Sequence, residues 1–346
     1  MHLDASKAAG LIKVMQDRHL LVIGDIMLDR FVDGTVSRIS PEAPVPILGQ
    51  SQIQQMPGGA ANVACNLAQL GARVTLIGAC SNDTTAEVLA SELHLFPTIK
   101  FLPLTIAGRP TSLKTRYRAS GQQILRVDDE VTDNIDNKYQ KKLFEMAEPS
   151  IKSTDMLILS DYAKGCLPPN LIRKLIGIAK SNKKLVVSDP KLMDLSVYRG
   201  ADFLTPNLSE LIRATGKELN TLDEIGATAS RVAKENDIDT VITTLSAQGI
   251  LASSSDGTQY HNPTSTRDVF DVSGAGDTVV AIISIAIASG ADLETAISMA
   301  NHAAGAVVGK SGTAIVSPGE ILAHLPVLKP LTNAATLAKT CQDWRN

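Results

Sequence analysis

Between Leu20 and Thr244 the chain alternates short apolar runs with stretches of helical periodicity, and this alternation most narrows the folds open to it. The runs Leu20 to Ile26, Arg73 to Ala79, Asp155 to Ser160, Lys184 to Ser188, Ala201 to Thr205 and Asp239 to Thr244 are too short for stable helices and read as buried strands. Helices are predicted between them, from near Gly58 through Leu70, over Pro168 to Ser181 and over Asn207 to Thr215. Ile250 to Ser253 continues the sheet, and the helices Gly274 to Ser289 and Leu293 to Val308 close it. Strands separated by helices must be joined by crossovers, so the sheet is mostly parallel with helices on both faces.

Two stretches depart from this order. Phe31 to Leu48 and Arg109 to Asp129 read as short strands joined by turns. Lys114, Arg116 and Arg118 alternate with Leu113, Thr115 and Tyr117, which puts three cations on one strand face. A turn near Ser120-Gly121 leads to a partner strand with Arg126 and Asp128 on one side. Together these pieces form a small β-sheet standing off the main body as a lid. Such charges suit either a solvated edge that resists aggregation or a surface that reads an anionic group.

Composition removes several function classes. The 346 residues carry a net charge of -3, which disfavours nucleic acid or an anionic membrane as the main partner. Asp4, Lys7, Lys13, Asp17 and Arg18 interrupt the N-terminus as a signal peptide would not allow, and the apolar run Val279 to Ala288 is too short to span a bilayer. Cys65, Cys80, Cys166 and Cys341 show no Cys-x-x-Cys spacing, so reduced thiols in a cytoplasmic protein are expected. Gly305 to Ser311 is one residue short of a P-loop and follows a helical run rather than a strand. No Gly-x-Gly-x-x-Gly follows the first strand, which disfavours dinucleotide binding.

The segment Asp271-Val272-Ser273-Gly274-Ala275-Gly276-Asp277 opens a strongly apolar helix with little side-chain bulk. The bare N–H groups of Gly274, Ala275 and Gly276 form an anion site at the positive end of the helix dipole. A carboxylate at Asp277 would oppose anion binding unless it takes a proton from a hydroxyl while the site holds a transferring phosphoryl group. An acidic residue in a first helical turn, serving stability alone, is the plainer reading. Gly58-Gly59-Ala60-Ala61-Asn62 opens another helix, where the glycines admit close approach and Asn62 offers donor and acceptor to a polyol. Asp25 and Asp29 lie where the first strand ends, the place at which open α/β sheets bind ligands. Asn207 and Glu210 suit a helix capping box, or an outer-shell magnesium and phosphate site with Glu210 acting through water. Lys191, in Asp189-Pro190-Lys191, closes a strand where it can lie near phosphate.

These residues together resemble the ribokinase, or PfkB, family of sugar kinases, whose two glycine-rich signatures correspond to Gly58–Ala64 and Asp271–Asp277. The chain is most similar to the heptose-phosphate kinase branch through Gly24 to Arg30, Ser37 to Pro46, Ser160 to Gly165 and Thr205 to Glu210. It departs from that branch at Thr244-Leu245-Ser246-Ala247-Gln248-Gly249, where Thr-Arg-Ser-Glu is frequent, and at Ser273, where Thr is frequent. The resemblance implies a three-layer α/β/α fold, with a mostly parallel central sheet and a small β-sheet lid, over residues 1–330. The lid is expected at about residues 31–48 and 109–129, and a C-terminal tail over 331–346. Many relatives continue into an adenylyltransferase domain with a His-x-Gly-His motif; this sequence lacks the motif, so a stand-alone kinase is expected.

The activity implied is transfer of the ATP γ-phosphoryl group to the anomeric hydroxyl of heptose 7-phosphate, with Mg²⁺ bridging the nucleotide phosphates. Asp277 would be the base, ionised with an ordinary pKa of about 4. Asp25, Asp29, Gly58, Gly59 and Asn62 would hold sugar hydroxyls, and Lys114 and Arg126 the far phosphate, with Arg116 and Arg38 as further candidates. Asn207, Thr244, Gly249, Asn301 and the Gly309 to Gly312 turn would border the nucleotide, beside Lys191 and Glu210. The family resemblance also implies a homodimer through the lid strands, and some members use a monovalent cation near the second signature. The competing readings are a PfkB kinase for ribose, fructose or a fructose phosphate, and a non-catalytic sugar- or nucleotide-binding regulator.

Overall fold

Strand β1 (His19–Gly24) is the pivot of the molecule, because the chain leaves it in one direction and later returns to its other side. The computed structural model describes residues 3–264, 274–310 and 312–325. Asp271, Val272, Ser273, Cys341 and the 331–346 tail lie outside the described residues. From β1 the sheet extends to β4 (Arg73–Cys80) and β5 (Ile99–Thr105) on one side. On the other side follow β8 (Met156–Ser160), β9 (Leu185–Asp189), β10 (Phe203–Leu204) and β11 (Thr240–Thr244), all parallel. β12 (Ile250–Ser254) and β13 (Gln259–Asn262) complete that edge antiparallel.

The period of two along the strands sends alternate residues into two separate cores. Leu20, Val22, Met156 and Ile158 meet α1 (Ala5–Met15), α2 (Ala60–Gln69), α3 (Thr84–His94), α8 (Ala275–Ala288), α9 (Leu293–Val307) and α10 (Pro318–His324). Leu21, Ile23, Leu157 and Leu159 meet α4 (Asn137–Ser153), α5 (Pro169–Ser181), α6 (Leu208–Thr215) and α7 (Leu222–Glu235). The α/β/α layering and the mostly parallel sheet are those expected. α8 is buried on every side from Asp277 to Ala286, as a helix apolar all round must be. Among the described residues no helix is long and apolar enough to cross a membrane.

The lid is larger than the sequence suggests. β2 (Ile26–Ile39), β3 (Pro46–Gly59), β6 (Ser112–Ala119) and β7 (Gln122–Asp129) form a four-stranded sheet in the order β3-β2-β6-β7. β2 starts one residue after β1, and β3 runs straight into α2, so the lid is rooted in the main body. The run Leu20 to Ile26 is therefore two strands broken at Asp25, and Asp29 belongs to the lid rather than to the end of β1. The apolar pattern hides the break because Ile26, Met27, Leu28 and Phe31 are as buried as β1 itself. The outer half of β2 and all of β7 are solvent-exposed.

Candidate active site

Strand order reverses between β1 and β8, and the carboxyl ends of β1, β8 and β9 open a crevice there. The start of α8 reaches this crevice. Gly274 caps that helix in the left-handed region at φ 78°, and a Cβ on it would lie 2.8 Å from Asn62 Nδ2. Glycine is required on both counts. Among the described residues no side chain caps α8, and its leading N–H groups have no acceptor within the helix.

Asp277, one turn in, is buried. Asn62 Nδ2 donates to its Oδ2 at 2.8 Å, and the Tyr162 hydroxyl donates to its Oδ1. Asn62 is held in turn by Asn66, whose Nδ2 donates to the Asn62 carbonyl at 3.0 Å, while Thr278 Oγ1 donates to Asn66 Oδ1 at 3.3 Å. Burial pushes the Asp277 carboxyl up to about 6, against the pull of the Tyr162 and Asn62 hydrogen bonds; Asp29 raises it further and Lys191 lowers it. The expected ordinary value is thus corrected, because the sequence does not show how completely α8 buries its first turn. The group is ionised at neutral pH and a stronger base than an exposed aspartate.

Asp25 is also buried, and its carboxylate is occupied. It accepts the backbone N–H groups of Tyr162 at 2.8 Å, Lys164 at 3.0 Å and Cys166 at 3.0 Å. Burial raises its pKa while those N–H groups oppose the shift. Asp25 thus anchors the loop after β8 rather than presenting a free carboxylate to a sugar. Asp29 is buried as well, and Arg116 pairs with its carboxylate. Gly58 lies against it, since a Cβ there would sit 2.3 Å from Asp29 Oδ2, and Gly59 packs on the Asp25 carbonyl.

The three lid cations do share a neighbourhood, but each meets an acid. Lys114 Nζ lies 2.9 Å from Glu130 and 3.3 Å from Asp128, and Lys164 Nζ lies 2.5 Å from the same Glu130. Arg116 pairs with Asp29 and Arg118 with Asp33, both guanidiniums resting over the Phe31 ring. Arg126 is half-exposed and pairs with Asp128 at 3.0 Å. Arg38 is at the exposed outer end of β2, nine residues beyond Asp29, or roughly 30 Å along an extended strand. It does not join the cluster.

On the opposite side of the crevice, Asn207 and Glu210 form the capping box of α6, and Glu210 also pairs with Lys191. Lys191 lies over the Tyr162 ring, 5.3 Å from its centroid. Burial works against its ammonium, yet Asp189 and Glu210 hold its pKa above the ordinary value. Burial pushes the Asp189 carboxyl up to about 8; Lys191 opposes this, and Glu210 and Asp277 add to it. Thr244 bridges Asn207 across the strand ends, and Gly249 lies beyond it after β11. Asn301 on α9 donates to Asn262 Oδ1 at 2.6 Å, fixing the end of β13. Gly309 follows α9, and Gly312 packs on Phe31 and Met56 of the lid. Lys310 is paired with Glu320 at 2.6 Å and donates to the Ile315 carbonyl, so the P-loop near-miss is a structural turn.

The model of the pfkB family carbohydrate kinases matches residues 17–319. The chain belongs to the PfkB family. It is 41% identical over 334 residues to the bifunctional protein HldE of Hyphomonas neptunium, covering 96% of this chain and 68% of that one. It is 43% identical over 307 residues to the bifunctional protein HldE of Azorhizobium caulinodans, covering 88% and 64%. The chain thus spans about two thirds of the length of these curated relatives. Among solved structures, Arabidopsis thaliana ribokinase complexed with ribose and ATP aligns at TM-score 0.70 and 18% identity, covering 89% of this chain and 98% of that one. Escherichia coli phosphofructokinase-2 with substrates and products aligns at 0.73 and 21%, covering 89% and 99%.

In this PfkB kinase two residues of the site escape sequence reasoning. Neither Tyr162, which meets Asp277, nor Lys164, which pairs with Glu130, stands out in the sequence as a single residue. Their common signal is the Ser160 to Gly165 string, which places both just after a strand that ends in the crevice. Glu210 carries carboxylate oxygens of the hard kind that magnesium prefers. Among the described residues no cluster of three or more acidic, His or Cys side chains is arranged to hold an ion.

Proposed function

We propose that this kinase phosphorylates the anomeric 1-hydroxyl of D-glycero-β-D-manno-heptose 7-phosphate with ATP, giving the 1,7-bisphosphate, an early step toward ADP-heptose for the lipopolysaccharide inner core. The observation that carries the chemistry is Asp277, set in the first turn of a glycine-capped helix and held by Asn62 and Tyr162. Its carboxylate takes the proton of the attacking hydroxyl. The leading N–H groups of α8, around Gly274, Ala275 and Gly276, stabilise the charge on the transferring phosphoryl group. Asp29, Gly58, Gly59 and Asn62 border the sugar, and Asp25 acts through the loop it anchors. Lys114, with Arg116 and Arg126 near it, reads the far phosphate. Asn207, Thr244, Gly249, Asn301 and the Gly309 to Gly312 turn flank the nucleotide. Glu210, beside Lys191, would order Mg²⁺ through water, and the ion would neutralise charge on the nucleotide phosphates.

The heptose assignment rests on the Gly24 to Arg30, Ser37 to Pro46, Ser160 to Gly165 and Thr205 to Glu210 strings, of which Ser37 to Pro46 points to the branch, and is supported by the identity to HldE proteins. We also propose a homodimer through the lid. Val36, Ile39, Ile53, Ile124, Leu125 and Val127 all expose apolar side chains on that one small sheet, where a second copy would cover them.

The test is coupled ADP release with ATP and Mg²⁺, comparing the heptose 7-phosphate with fructose 6-phosphate, fructose and ribose. Turnover confined to the heptose phosphate is the expected result. Turnover of another sugar would replace the substrate and keep the chemistry. ATP binding without turnover of any would favour a regulator.

A further inference from the structure

The loop after β8 is built more rigidly than its sequence suggests. Asp25 accepts three of its N–H groups, at Tyr162, Lys164 and Cys166. Asp161 accepts the Ala163 N–H at 2.8 Å and the Tyr198 hydroxyl at 2.5 Å from the far side. Arg109 donates to the carbonyls of Val131, Asp133 and Lys164. Ala163 is held at φ 52°, a left-handed conformation that costs an L-residue about 1 kcal/mol and persists only where its surroundings enforce it. Two buried carboxylates and one guanidinium therefore fix a strained turn, and the side chain this turn delivers to the crevice is Tyr162.

We propose that Tyr162 is a positioning residue of the phosphoryl transfer, its hydroxyl fixing the rotation of the Asp277 carboxylate so that a lone pair stays aimed at the acceptor hydroxyl. The inference rests on Asp277 being the base. A carboxylate has about four lone-pair sites. Asn62 takes one on Oδ2 and Tyr162 one on Oδ1, which defines the carboxylate plane and leaves the others for substrate. The hydroxyl also tunes the base. A donor to the charged form lowers a carboxyl pKa, so Tyr162 opposes the rise that burial causes. The other charged groups facing Asp277 are Asp29 from β2, itself paired with Arg116, and Asp189 and Lys191 from the end of β9. Each stays in place when the tyrosine hydroxyl alone is removed.

The experiment is the pH profile of kcat and kcat/KM for Tyr162→Phe beside the native enzyme. The expected result is an acid limb moved up by about one pH unit, with plateau kcat about tenfold lower and phosphosugar KM changed less than about twofold. An unmoved limb, whatever the change in rate or melting temperature, overturns the proposal, because a packing role does not alter the base. If Tyr162→Phe fails to fold, difluorotyrosine at position 162 decides. This more acidic donor of similar shape should move the limb down, and an unmoved limb again overturns the inference. Asp277→Asn separates the two readings. Retained turnover there removes the base assignment itself, whereas a dead Asp277→Asn with a normal limb in Tyr162→Phe removes the role of Tyr162 alone.

Discussion

Asn62 and Asp277, 215 positions apart in the chain, meet through a 2.8 Å hydrogen bond that joins the two glycine-rich helix starts. A second rung, Thr278 to Asn66, ties the same helices one turn deeper. The carboxylate proposed as the base therefore cannot swing without breaking its hydrogen bonds to Asn62 of α2 and Tyr162 of the loop after β8, and its orientation is set before substrate arrives. Asp277→Asn preserves size and fold while removing the proton acceptor. Steady-state kinetics should show kcat lower by about 10² to 10⁴, with ATP affinity unchanged. Near-normal turnover would remove the assignment.

The pH dependence of stability should run opposite to that of activity. Burial raises the carboxyl groups of Asp161 and Asp277 to about 6 and that of Asp189 to about 8, all above the ordinary carboxylate value. The folded state then keeps protons that the unfolded chain has released, so unfolding free energy falls as pH rises from about 4 towards 8. With Asp277 as the proposed base, activity needs its carboxyl ionised and should rise through pH of about 6. Thermal melts should give a higher Tm near pH 5.5 than near pH 8, with Asp277→Asn flattening part of the slope. A Tm that climbs steadily towards pH 8 would contradict the burial of these acids.

Asp25 offers a clean separation between a sugar ligand and an anchor. Its carboxylate accepts three N–H groups of one loop, and Asp25→Ala leaves them without that acceptor. Each unsatisfied buried donor costs about 1–3 kcal/mol, so a loss of at least about 3 kcal/mol is expected, with kcat falling because the loop carries Tyr162. Denaturant unfolding and kinetics together decide. A normal midpoint with a raised sugar KM would restore the ligand role.

What sequence reasoning captures here is periodic or local. The alternation of apolar runs yields the two-faced parallel sheet, and the uninterrupted apolar stretch after Asp277 yields a buried α8. The glycines announce the two helix starts. The misplacement of Asp29 has a simple cause: a strand that turns from sheet to lid at Asp25 without losing burial leaves no break in the pattern. The true partners of Asp25 are backbone amides 137 to 141 positions away, and an amide has no sequence signature. The acids that neutralise the lid face are equally invisible, since Asp29 and Asp33 come from a neighbouring strand and Glu130 from beyond the hairpin.

Those acids shape the last expectation, at the lid. Lys114 and Lys164 share the Glu130 carboxylate, so an anion already sits between the two ammonium groups. A phosphate arriving there brings more charge and more acceptor oxygens than the carboxylate it displaces. Lys114→Met should therefore raise the KM for the phosphosugar about tenfold or more while the ATP KM moves less than about twofold. Glu130→Gln should lower the phosphosugar KM, because it removes the internal competitor and leaves both cations. Arg126→Ala, at a side chain 50% exposed, should have a smaller effect than Lys114→Met. Equal changes in both KM values for Lys114→Met, or a raised phosphosugar KM for Glu130→Gln in a normally folded enzyme, would show that this network only braces the hairpin.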